Sequence, residues 1–320
     1  MKKVTDNNFI NGQQPQLLLK RPLTILCLAI ISSYFLLAAF VYVAELTRWN
    51  PRFTQWDKKV GAEYESPNGK NILGTDYLGR SVLRKTIYGA KVSLTVALFA
   101  SFIGIIIAVP LGALAGFYHG IVDDIVVWLC TTLTSIPYIL LILAFALVLK
   151  DKSLDLTWLG LGQIPLAGIP AVCIALGFTG WVGICRLVRA EVIKQKQLDY
   201  ARTARSFGCS NFRILFRHIL PNLYHILIVS FSIRFVYYIH AEVILSFLGL
   251  GVKNAPSWGT MIDLARQDLT KGCWWEMTSA TVALFVISLA INIFGDTLRD
   301  TLNPKFIRLQ RIKYKVTYER

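Results

Sequence analysis

The chain has 320 residues, 54% hydrophobic but only 17% charged, with a formal net charge of +15. A soluble domain usually carries about a quarter charged residues, so this composition leaves too little charge for a water-facing surface and excludes an ordinary soluble globule.

In chain order, a polar leader, Met1–Pro22, precedes a first charge-free run, Leu23–Ala44. A secretory signal core is shorter, about 7–15 residues, and ends at a small-x-small site. This run is longer and ends Val41-Tyr42-Val43-Ala44, so it reads as a retained anchor. A segment rich in Trp, Asn, Pro and Gly follows, and then the charge-free runs Val92–Phe117, Ile125–Leu149, Ile164–Cys185 and Met277–Gly295. Leu223–Leu250 is a further apolar run but carries Arg234, His240 and Glu242. A bilayer core needs roughly 20 apolar residues in a helix, which alone satisfies its backbone without water. The expectation is therefore an all-α integral membrane protein with six transmembrane helices.

Within the second run, Ala100, Gly104, Ala108, Gly112 and Gly116 recur every four residues and so share one helix face, as suits close helix packing in lipid. Pro110 and Pro137 predict kinks in the second and third spans. The fourth run holds four glycines and two prolines, which predicts an irregular first end. Three zones result: residues 1–90 with the leader, first span and outer segment; 91–297 with five spans; and a basic tail, 298–320. With the N-terminus in the cytoplasm, 19 Lys/Arg fall on the cytoplasmic side and 14 outside. The basic charge therefore reads as an orientation signal with both termini cytoplasmic and argues against nucleic acid. Cys209 falls inside and Cys273 outside, and no C-x-x-C spacing occurs, so neither a disulfide framework nor a metal site is predicted.

The segment Leu198–Asn222, on the cytoplasmic side, is the most informative stretch. Residues 187–206 favour helix, Gly208 suits the left-handed residue that ends one, and Ser210 can cap the next. Ile214, Leu215 and Ile219 predict an apolar face, and Pro221 a stop. A helix–turn–helix on the membrane surface is expected.

This segment resembles the coupling loop of ABC importer permeases, whose pattern is Glu-Ala-Ala, three residues, Gly, nine residues, then Ile-x-Leu-Pro. Ala204, Gly208, Leu220 and Pro221 match at that spacing, while Arg202, Thr203 and His218 stand at the Glu, first Ala and Ile positions. The ending Arg217-His218-Ile219-Leu220-Pro221-Asn222 is similar to the peptide and nickel branch. So are Leu73-Gly74-Thr75-Asp76 with Gly79-Arg80, the stretch Ser246–Gly251 with Pro256–Gly259, and Gly295-Asp296 with Asn303-Pro304.

The resemblance implies a type I ABC importer permease of the cytoplasmic (inner) membrane, carrying peptides. It implies a second homologous permease, two ABC ATPase subunits and an extracytoplasmic peptide-binding protein as partners. Arg202, Thr203, Ala204, Gly208, Leu215, Leu220 and Pro221 of the loop at 199–221 would then couple to the ATPase. ATP and Mg would sit on those partner ATPases, with no cofactor bound by this chain. A nickel or other small-solute permease, or a stand-alone secondary transporter, are the alternatives. No G-x-S-x-G, H-E-x-x-H or Walker A run occurs, so no enzymatic chemistry is expected on this chain.

Arg234, Tyr238 and Glu242 step by four along the fifth span. Ionisable groups in lipid usually face a partner or a water-filled cavity, so this face either lines the pathway and meets peptide termini or pairs within the bundle or between subunits, with Tyr238 bridging its charged neighbours and His240 packed.

Overall fold

The computed structural model describes residues 22–47, 49, 54–149, 153–155, 163–165, 168–252 and 255–302. The leader as far as Arg21 and the tail from Asn303 lie outside these residues. Helix α1, Pro22–Leu46, is apolar on every side and buries only a strip that includes Cys27, Ala38, Val41 and Ala44. A helix of this kind, at the rim of a bundle, faces lipid.

Helix α2, Val82–Tyr118, runs 37 residues, about 55 Å at 1.5 Å per residue. It starts ten residues before the charge-free run because its lysines are neutralised within the fold. Lys85 pairs with Asp76 and Glu276, and Lys91 with Glu45. The chain stays helical through Pro110. The small-residue stripe lies where two helices cross: a Cβ built on Gly112 would stand 2.5 Å from the Cys185 carbonyl oxygen, and one on Gly116 2.6 Å from that of Arg189. Only hydrogen fits there, and the backbones approach accordingly.

Two spans are broken. Helices α3, Ile121–Ser135, and α4, Tyr138–Leu149, meet at 94°, a right-angle turn rather than the expected kink. Ile136 takes φ −88°, ψ 131°, the extended geometry imposed on a residue before proline, so helix α3 ends there. Helices α5, Ile169–Gly180, and α6, Val182–Lys196, are bent by 40°. The fourth span therefore begins at Ile169. Ile164 instead belongs to a small ribbon, β1 (Ser153–Asp155) paired antiparallel with β2 (Gln163–Pro165), Leu154 opposite Ile164. Besides that ribbon, two isolated antiparallel bridges, Lys59 with Arg80 and Thr75 with Ser81, interrupt the all-helical fold among the described residues.

A short helix α7, Asp199–Ser206, precedes α8, Tyr224–Phe247; then come α9, Trp258–Asp268, and α10, Trp275–Leu302. Among the described residues four helical stretches are long and apolar enough to cross a membrane, and the two bent pairs bring the total to six. The core has two lobes. One gathers Val41, Val92, Leu94, Ile239, Trp258, Met261 and Ile287. The other, at the opposite end of α2, gathers Ala108, Ala113, Cys130, Ile184 and Val188 with Ile214, Leu215 and Ile219.

The loop before α2 is pinned by Asp76. Its carboxylate accepts from the backbone N–H of Leu78 (2.9 Å) and Arg80 (2.8 Å), from Arg80 Nε (2.7 Å) and from Lys85 Nζ (3.0 Å). Trp275 Nε1 donates to the Thr75 carbonyl at 2.8 Å, tying this loop to α10. Burial alone would raise the Asp76 pKa, but the charge of Lys85, the Arg80 N–H and the Arg80 charge together hold it below the ordinary value of 3.8. A depressed carboxylate stabilises the fold above its unfolded pKa, and that contribution disappears as pH falls through the folded one. Asp76→Asn should therefore be less stable than wild type at neutral pH, with the gap closing only below about pH 4. Thermal unfolding of both proteins in detergent across pH 3–7 checks this; a gap that closes between pH 7 and 5 would contradict it.

Candidate functional site

The end of α2 farthest from Asp76 carries the hairpin. Two polar contacts brace its base. Arg189 grips Asp123 bidentately, Nη2 to Oδ2 at 2.6 Å, joining α6 to α3. Lys196 Nζ donates to the Phe117 carbonyl at 2.6 Å, a cation at the C-terminus of α2, where the helix dipole favours it.

Helix α7 closes on a left-handed turn. Gly208 has φ +77°, its N–H reaches the Arg205 carbonyl at 3.0 Å, and the Cys209 N–H reaches that of Ala204 at 3.1 Å. These are the two bonds of a Schellman motif, so the Ala204 and Gly208 positions are set by the geometry of one turn. Ser210 then accepts the Arg213 N–H as N-cap. The next helical segment departs from expectation. Pro221 does not stop it: one helical path runs from Asn211 to Phe247. Proline removes an N–H and crowds the preceding turn, and the chain adapts by widening to a π-helix over Ile214–Ile219 and tightening to a 3₁₀ turn over Leu220–Leu223. The Leu220 N–H reaches back to the Leu215 carbonyl, and Asn222 Nδ2 serves the His218 carbonyl at 2.9 Å.

The candidate coupling residues fall into two groups. Arg202, Thr203, Gly208 and Pro221 are exposed, and Ala204 and Leu220 are half-buried. Leu215 is buried with Ile214 and Ile219 against α2 and α6, so it holds the hairpin to the bundle and is out of a partner's reach. Three aromatics absent from the sequence reading stand out. Phe207 is 84% exposed and Phe212 64%, and the Phe212 ring lies 4.3 Å from that of Phe216. The signal available in the sequence was the i, i+4 pair Phe212/Phe216 beside an already complete apolar face.

The intramembrane trio does not act as one face. Tyr238 is fully buried between Gly104 and Gly180, and among the described residues its hydroxyl has no hydrogen-bond partner. It therefore bridges neither neighbour. Glu242, also fully buried, accepts from Ser93 Oγ (3.0 Å) and Ser246 Oγ (2.7 Å), joining α8 to α2. Arg234 alone of the three reaches a cavity, with its guanidinium over the Tyr237 ring at 5.6 Å. His240 is exposed and lines a second, apolar cavity, so it is not packed in the core.

Residues 108–308 match the family described as binding-protein-dependent transport system inner membrane component. The dipeptide transport system permease protein DppC of Bacillus subtilis (strain 168) is 34% identical over 244 residues, covering 76% of this chain and 71% of its own. The glutathione transport system permease protein GsiD of Pectobacterium atrosepticum is 35% identical over 242 residues, 75% of each chain. GsiD of Escherichia coli O6:K15:H31 is 34% identical over 283 residues, 87% of this chain and 86% of its own. Among solved structures, the inward-facing MetNI methionine ABC transporter covers 68% of this chain at 18% identity and a TM-score of 0.49, a likeness too distant to weigh on function.

Proposed function

Because the chain belongs to the binding-protein-dependent transport system inner membrane components, and so is a multi-pass permease subunit of an ABC importer, we propose that its cargo is a short peptide. The observation that carries this reading is that relatives named for dipeptide and for glutathione transport match three quarters or more of the chain at 34–35% identity. A second permease completes the pathway in this reading, a binding protein delivers the peptide from outside, and both termini of this chain lie in the cytoplasm.

The hairpin supports the coupling role. Two separate ATPase subunits bind ATP and Mg, and one of them takes this hairpin in a groove. Phe207, Phe212, Arg202 and Thr203 offer it an exposed surface, while buried Leu215 and the Schellman turn at Gly208 keep that surface rigid. Closure of the ATPases favours one of two access states because they bind the hairpin differently in each.

Copurification followed by uptake in vesicles tests the reading. The chain should bring down a second permease and the ATPases, and the assembled complex with its binding protein should accumulate a dipeptide on addition of ATP. Accumulation of nickel but no peptide would overturn the substrate class.

The turn makes a separate prediction. No atom lies within 4 Å of a Cβ built on Gly208, so valine there is opposed only by the backbone, at about 1–2 kcal/mol for the left-handed region. Gly208→Val should insert and assemble normally but lower the peptide moved per ATP by roughly tenfold. Unchanged coupling in reconstituted vesicles would contradict this.

A further inference from the structure

We infer that the cavity beside the α3–α4 bend is a carboxylate site in the transport path, where Arg186 and Arg234 take the anionic end of the peptide. This deepens the peptide reading and rests on it. The cavity, about 340 Å³, is lined by Thr134, Pro137, Tyr138 and Tyr237 together with both arginines. Arg186 donates to Thr134 Oγ1 at 3.1 Å and Arg234 lies over Tyr237, but among the described residues neither makes an ion pair with a carboxylate. Lys85, Lys91 and Arg189, by contrast, each hold an acidic partner. Arg186 is ten residues from the end of α6 at Lys196, and Arg234 ten residues from the start of α8 at Tyr224. Each is thus about 15 Å along its helix, with Arg186 exposed and Arg234 half-buried. Two like charges on the wall of one cavity repel each other, and an anion between them relieves that repulsion.

Backbone geometry holds Arg234 in place. A Cβ on Gly183 would stand 1.9 Å from Arg234 Nη2, so the guanidinium rests on the bare backbone just past the α5–α6 break. A neighbouring cavity of about 360 Å³ shares Pro137, Tyr138 and Tyr237 and is otherwise mostly apolar, with Ile142, Ile244 and Leu245. An anionic group beside an apolar slot suits a short peptide, with its carboxylate on the arginines and an apolar side chain past the tyrosines.

The test uses the complete transporter in vesicles, with full-length chain, second permease, ATPases and binding protein, reading dipeptide uptake and ATP turnover together. Arg234→Gln and Arg186→Gln should each lower uptake roughly tenfold, the loss of one charge-assisted hydrogen bond, while ATP turnover and assembly persist. Arg234→Lys should recover most of the loss. Gly183→Ala, which displaces the guanidinium and keeps both charges, should reduce uptake in the same direction but less. Undiminished uptake in both glutamine variants overturns the site and leaves the peptide reading standing. A wild-type complex that moves no dipeptide overturns the peptide reading itself. Loss of the second permease on copurification with Arg234→Gln would reveal a salt bridge between subunits instead. Comparison of phosphatidylcholine vesicles with vesicles containing phosphatidylglycerol separates the anion sources: equal wild-type uptake supports the substrate, and dependence on the anionic lipid that Arg234→Gln abolishes assigns the cations to a headgroup.

Discussion

Lys85→Met should destabilise the protein by about 3–5 kcal/mol, the usual cost of breaking a buried charge pair from one side. Lys85 is 2% exposed at the start of α2, 3.0 Å from Asp76 Oδ2 and in contact with Glu276 at the start of α10. Removing the ammonium leaves two enclosed carboxylates. Asp76 still has Arg80, with Nη2 at 2.7 Å, but Glu276 loses its ion-pair partner. Denaturation of the purified subunit in detergent measures the loss. A double substitution, Lys85→Met with Glu276→Gln, should recover part of it by removing the orphaned charge. A loss below about 1 kcal/mol would place this cluster with solvent-screened surface pairs and refute its role as the clasp between α2 and α10.

Phe212→Ala should weaken retention of the ATPase by about 30-fold, equivalent to the 2 kcal/mol of an interface hot spot. The side chain is 64% exposed at the hairpin tip, so its removal opens no cavity and should leave unfolding unchanged. Phe216, its ring 4.3 Å away and tilted by 32°, braces the ring in position before any partner arrives, and such preorganisation lowers the entropic cost of docking. Titration of purified ATPase onto immobilised permease gives the affinity, and vesicle uptake should fall with it. If Phe207→Ala and Phe212→Ala together leave retention unaltered, the ATPase docks elsewhere.

How much of this could be read in advance follows from how local each feature is. The Ala204–Gly208 turn and the Ser210 cap are settled within a few residues, and both appear in the structure as the residue types indicate. The count of spans followed from run lengths, because hydropathy records composition. It does not record direction, so the right angle at Pro137 was invisible as anything more than a kink. The start of α2 was misplaced for a different reason. A run was ended by charge, and the structure neutralises Lys85 and Lys91 with acids 191 and 46 residues away. Glu242 reads either as a pathway group or as a bundle contact because a carboxylate in a span is costly; the sequence does not single out its partners, Ser93 and Ser246, because they are uncharged. Arg186 escaped notice at the edge of an apolar run, where a cation is ordinary; only the fold brings it to the same cavity as Arg234.

The helical path from Asn211 to Phe247 also has a dynamic consequence. Pro221 is absorbed by a change of winding, so Phe212 and Arg234 lie on one continuous helical path of 37 residues. A drive train built this way has no clutch. Under the coupling proposed above, whatever swings the hairpin tip turns the far end in the same stroke, and idle turnover of the ATPase requires the tip to slip from its groove.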